Sequence, residues 1–147
     1  MSVAKRIMVV GYGNSLRRDD GVGVVAAQRL SEKLPTGSVI DCQQLMPELA
    51  ETLADADIVV FIDASTASPP GRIAIIPLQS DDAAAEGFTH HFTPATLLAL
   101  GERLYGRRPR AFLVSVCGQS FDLGEGLSDV VTAALPQVMH EVQRLIG

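Results

Sequence analysis

Ile7-Met8-Val9-Val10-Gly11-Tyr12-Gly13-Asn14-Ser15-Leu16-Arg17-Arg18-Asp19-Asp20-Gly21-Val22-Gly23 is the stretch that decides the fold. The apolar run Ile7 to Val10 reads as a buried strand, and the glycines after it read as a tight loop. A helix opens next, because Val22, Ala26 and Leu30, then Ala27 and Leu34, recur at helical spacing, with Asp19 or Asp20 suited to cap it. Strand, glycine loop and helix N-terminus make the first unit of an α/β domain.

That geometry raises the dinucleotide fingerprint, and the residues argue against it. G-x-G-x-x-G requires a third glycine where this chain has Leu16, and a pyrophosphate would meet Asp19 and Asp20 at the helix start. Two adjacent carboxylates beside a glycine-loosened backbone suit a cation better, although helix capping alone is the commoner use of such a pair.

Working outward, strands and helices alternate. Arg6 to Gly11 reads as a strand and Gly21 to Lys33 as a helix stopped before Pro35. Ser38 to Cys42 is a second strand, Pro47 to Ala54 a short helix, and Ile58 to Ile62 a third strand closed by Asp63. Arg72 to Pro77 is a return strand after the Ser65 to Gly71 turn, and Thr93 caps a helix over Pro94 to Tyr105. Ala111 to Val116 is a further strand, and Ser128 opens the last helix, with Val131, Leu135, Val138, Val142 and Leu145 on one stripe. Pro136 is expected to kink or restart that helix. The pattern predicts a single three-layer αβα domain over residues 1–147, with a mostly parallel, partly mixed five-stranded sheet.

Composition narrows the class of function. The chain has 147 residues, 47% hydrophobic, with 5% aromatics and no Trp, enough for one aliphatic core. A net charge of -5 offers no basic surface for nucleic acid. The one dense basic run, Arg107-Arg108-Pro109-Arg110, lies between a helix and a strand, as a solvated loop or a hold for a protein partner. No apolar run is long enough for a membrane segment, and Cys42 and Cys117 form no C-x-x-C, so a cytoplasmic protein with reduced cysteines is expected, and a monomer.

In open α/β sheets sites form at the carboxyl ends of strands, and three features fall there: Asp19-Asp20 after the first strand, Asp63 after the third, and His90-His91 before the Thr93 helix start. Each has a plainer reading: Asp63 can cap the Ala64-Ser65-Thr66 turn, and a loop histidine is usually surface. Oxygen, oxygen and nitrogen donors together suit a borderline divalent ion such as nickel, zinc or cobalt. H-E-x-x-H, G-x-S-x-G and Walker loops are missing from the sequence. The residues alone therefore reach a metal-dependent α/β hydrolase, or a non-enzymatic nucleotide- or metal-binding module. For a nucleotide module, Asp41 would imitate the acidic ribose ligand.

Gly13-Asn14-Ser15-Leu16-Arg17-Arg18-Asp19-Asp20-Gly21-Val22-Gly23 resembles the G-N-x-L-x-x-D-[DE]-G-x-G signature of the hydrogenase maturation endopeptidases. Asp63-Ala64 after an aliphatic strand, the Pro70-Gly71 turn, a Thr-His element before an L-L-containing helix, and Ser120 to Ser128 follow in that family's order. The resemblance implies an endopeptidase that removes a C-terminal extension from the nickel-loaded large-subunit precursor of a nickel-iron hydrogenase. It implies Asp20, Asp63 and a histidine as the metal-binding and catalytic set, with His90 favoured and His91 the alternative, and Asp19 as a structural cap. Nickel would be supplied by the substrate, or a resident divalent metal would polarise the scissile carbonyl. Cys117-Gly118-Gln119 departs from the I-x-P or G-E segment of many relatives.

Overall fold

The computed structural model describes residues 5–79 and 92–147. Five strands form one sheet: β1 (Ile7–Tyr12), β2 (Val39–Cys42), β3 (Ile58–Ser65), β4 (Ile73–Leu78) and β5 (Arg110–Cys117). Their spatial order is β2-β1-β3-β5-β4, parallel except for β4, which runs antiparallel to β5. The mixed edge arises because β3 reaches β4 through a short turn rather than a helix, and a turn can only reverse the chain.

Two helices cover each face. α1 (Val22–Leu30) and α4 (Asp129–Ile146) bury Val22, Ala26, Leu30, Val131, Leu135, Val138 and Val142 against Val9, Val60, Ile62, Val114 and Val116. On the other face α2 (Leu49–Ala54) and α3 (Pro94–Tyr105) bury Ala50, Leu53, Leu97 and Leu98 against Met8, Val10, Val59, Phe61 and Ala111. β1 and β3 lie at the centre of the sheet and have apolar side chains on both faces. This is why they read as continuous hydrophobic runs rather than alternating ones. The expected three layers are present.

Several local expectations shift. β3 continues three residues past Ile62, so Asp63 lies within the strand, paired with Ser115 of β5, instead of closing it. Before α1 the chain makes a 3₁₀ turn over Arg18–Gly21, and no side chain caps either that turn or α1. The helix-cap reading of Asp19 and Asp20 is therefore corrected. Both carboxylates are engaged elsewhere. α4 runs unbroken through Pro136. The expected restart does not occur, because the buried stripe on either side of the proline holds one continuous helix against the sheet. Thr93 does cap α3, in a reciprocal box with Thr96.

The glycines of the opening loop are consumed by packing. A Cβ on Gly23 would lie 2.2 Å from the Ile62 carbonyl oxygen, and one on Gly11 would lie 1.9 Å from the Gly23 carbonyl oxygen. Without those side chains α1 lies directly on β1 and β3. Gly13, at φ +144°, brings its backbone against the Asp20 carbonyl. Glycines spent in this way leave no open backbone cradle for a phosphate.

Candidate functional site

The strand order reverses direction at β1: β2 lies on one side of it and β3 on the other. The carboxyl ends of β1 and β3 lie side by side at this switch point, the usual place for a crevice and a site in such sheets. Asp20 follows β1, and Asp63 lies near the end of β3.

Register determines which side chains share that crevice. β1 and β3 pair Val10 with Phe61 and Gly11 with Ile62, so the next residues, Tyr12 and Asp63, come side by side and face the same way. Tyr12 also pairs with Cys42 of β2, and Asp63 with Ser115 of β5. This row faces the α2 and α3 layer, where the Tyr12 ring packs beside the Phe61 and Leu97 cluster.

Asp63 has two donors beside it. The Ala64 N–H donates to Oδ1 at 2.7 Å, and the Tyr12 hydroxyl lies beside the carboxylate, near enough to act on its titration. Burial nevertheless pushes the Asp63 carboxyl up to about 6, with the Asp20 charge adding to the rise against the lowering effect of the Tyr12 and Ala64 donors. The Tyr12 phenol is pushed above its ordinary range, by burial first and by the Asp63 charge second, so it stays protonated and remains a donor. Asp20 receives the Asn14 N–H on Oδ2 at 2.7 Å, which ties it to the glycine loop.

Asp19 has a different task from its neighbour. Its side chain is fully buried, and it gathers a distant loop. Oδ2 accepts from the Gln119 N–H (2.8 Å), the Ser120 N–H (3.0 Å) and the Ser128 hydroxyl (2.8 Å), while Oδ1 accepts from the Ser128 N–H (2.8 Å). Desolvation pushes its carboxyl up, but the hydrogen bonds from Ser128, Gln119 and Ser120 outweigh it and hold the group below the usual carboxylate range. The Asp19 N–H in turn donates to the Ser120 carbonyl at 3.0 Å. The Cys117-Gly118-Gln119 segment is thus shaped around Asp19, since a Cβ on Gly118 would lie 2.9 Å from that of Asp19 and 2.6 Å from the Phe121 ring.

A second tie joins the same loops. The Arg18 N–H donates to the Gly124 carbonyl and the Gly124 N–H to the Leu16 carbonyl, with Arg18 at φ 51°. The glycine loop and the loop after β5 form one rim of the crevice.

The histidine pair, His90 and His91, falls outside the described residues. Phe92, the first described residue after it, packs on the Phe61 and Leu97 cluster, the face toward which Asp63 is directed. Among the described residues no group of three His, Cys, Asp or Glu side chains gathers as a metal site. An acceptor-only carboxylate pair, one member of which resists ionisation, is a donor set that a cation would relieve.

Tyr12 is the site residue that sequence reasoning missed. It stands inside the quoted stretch, and the signal that could have found it is its alignment with Asp63, two residues past a pair of in-register apolar strands. The basic run lies at the opposite edge of the sheet: Arg107 pairs with Asp55 at 3.6 Å, Arg108 with Glu102 at 3.5 Å, and Arg110 stacks over Phe112. Cys42 and Cys117 are free. No described helix is long and apolar enough to cross a membrane.

No family model matches the chain, and comparison with curated proteins returns no match. Solved structures do match. The hydrogenase maturating endopeptidase HybD from E. coli aligns at 27% identity and a TM-score of 0.74, over 96% of this chain and 91% of its own. A hydrogenase 2 maturation peptidase from a Thaumarchaeota archaeon aligns at 26% identity and a TM-score of 0.70, over 97% and 99%. The NiFe hydrogenase maturation protease HycI from Thermococcus kodakarensis, at 24% identity, shares the fold with a TM-score of 0.76 over 97% and 92%.

Proposed function

From a chain that shares its fold with the hydrogenase maturation endopeptidases over nearly its whole length, we propose an endopeptidase of hydrogenase maturation, acting through residues 1–147 as one domain. Its substrate is the nickel-loaded large-subunit precursor of a nickel-iron hydrogenase, from which it removes a C-terminal extension. The observation that supports this reading is that Asp20, just after β1, and Asp63, near the end of β3, come from separate elements to the same edge of the sheet, near enough for the charge of one to raise the carboxyl of the other.

Asp20, Asp63 and one histidine of the His90-His91 pair grip the nickel that the precursor carries, so cleavage waits until the metal has been inserted. The alternative source, a resident divalent ion, would be held by the same residues and would polarise the scissile carbonyl. Hydrolysis needs a group that takes a proton from the attacking water and returns it to the leaving amine as the C–N bond breaks. A carboxylate oxygen of the Asp20 and Asp63 pair that the metal leaves free would make that exchange. The spent glycines and the acidic helix start weigh against a nucleotide-binding module.

The test is incubation with nickel-loaded and nickel-free precursor, followed by the intact mass of the large subunit. Loss of a short C-terminal peptide is expected from the loaded form only, and Asp20→Ala, still folded, leaves it uncut. Equal trimming of both forms would overturn recognition through nickel. Absence of trimming together with tight binding of NAD or ATP would return the chain to the binding-module reading.

A further inference from the structure

Tyr12 belongs to the crevice by register and contact, yet it is given no part in gripping nickel or moving a proton. Three observations place it. β1 ends at Tyr12, one step beyond the Gly11 and Ile62 pair, which aligns it with Asp63. Its half-buried ring packs against the apolar cluster under α2 and α3, which limits the swing of the phenol. Its backbone is pinned from the other face: a Cβ on Gly23 would lie 2.8 Å from the Tyr12 carbonyl oxygen and 2.9 Å from its nitrogen, so α1 rests on this residue. The hydroxyl is therefore a donor on a rigid mount, carried on the same face as Asp63 and beside it.

A free carboxylate rotates about its terminal bond through a broad range. An ionised one offers about four lone-pair positions. On Asp63 the Ala64 N–H occupies one, and the Tyr12 hydroxyl, aligned by register on the same face, is placed to occupy another. With two donors arriving from two strands, the carboxylate plane is defined, and the remaining lone pairs are left for a ligand. We infer that Tyr12 is a positioning residue, whose hydroxyl orients the Asp63 carboxylate for the cleavage reaction. This rests on the function proposed above. Outer hydrogen-bond partners of ligating groups typically contribute about 10- to 100-fold in activity or affinity, and with Ala64 still in place the lower end is expected.

Tyr12→Phe is the informative change, since it keeps the ring in its cluster and removes only the hydroxyl. With nickel-loaded precursor, kcat/KM should fall about 10-fold, while the melting temperature stays at the wild-type value. An unchanged kcat/KM would overturn the inference while the wild-type chain still trims and the proposed function stands. A second readout does not depend on cleavage. In protein labelled with carboxyl-¹³C aspartate, with the Asp63 resonance assigned by its absence in Asp63→Asn, Tyr12→Phe should move the Asp63 signal and leave that of Asp19 in place. If the wild-type chain trims no precursor, the proposed function fails, and this measurement still decides whether the hydroxyl holds Asp63. A stationary Asp63 signal would overturn the positioning role.

Discussion

Asp19→Ala should be among the most costly single substitutions in this chain, although Asp19 stands in a loop next to a candidate catalytic residue. The carboxylate is 0% exposed and receives four hydrogen bonds. Truncation leaves the N–H groups of Gln119 and Ser120 partly buried, where water can reach them, and both donors of Ser128 buried. Counting only those two Ser128 donors, at about 2 kcal/mol each for lost bonds to a charged group, gives a loss of about 4 kcal/mol. Ser128 is also the N-cap of α4, its hydroxyl accepting from the Val131 N–H, so the helix start loosens with it. For a chain of this size the loss corresponds to a fall of roughly 8–16 °C in Tm. Urea unfolding at constant m-value is the assay. Asp19→Asn should recover little, because its amide nitrogen would face donors where an oxygen is needed. The hydrogen bonds hold the folded carboxyl below its ordinary 3.8, so this stability is present above that pH and lost as pH falls through the folded value. A loss of about 1 kcal/mol or less for Asp19→Ala, the size of a simple helix cap, or full recovery by Asp19→Asn, would refute the reasoning.

Asp63 should behave in the opposite sense. Its folded carboxyl titrates at about 6 against an ordinary 3.8, so between those values the folded state holds a proton that the unfolded state has lost, and stability falls as pH rises. Asp63→Asn should therefore raise stability at pH 7 by on the order of 2 kcal/mol in chelator-treated protein, with the advantage vanishing below pH 4; a constant difference across that window would count against it. Gly23→Ala drives a methyl group into the Ile62 carbonyl and should lift α1 from the sheet, costing on the order of 3 kcal/mol or preventing folding. Gly37→Ala, with nothing within 4 Å and only a positive φ to strain, should cost about 1 kcal/mol in the same unfolding assay.

Much of the molecule was legible in the order of its residues. The apolar runs of β1, β3 and β5, the helical stripe of α4, the Thr93 cap and the position of Asp20 and Asp63 at one edge of the sheet all depend on periodicities and caps that act within a few residues. The two aspartates of the pair look alike at that range, where either one suits a helix cap. What separates them is a set of donors 100 to 109 residues further along the chain, and only folding brings Gln119, Ser120 and Ser128 to Asp19. Tyr12 was hidden for the same reason: a tyrosine after a strand has no meaning until the strand order places β3 beside β1 and the register aligns it with Asp63. The chemistry of the residues was thus determined by the sequence itself. Which carboxylate became structural and which was left facing the crevice was decided by tertiary packing, because burial and hydrogen-bond supply belong to the assembled chain.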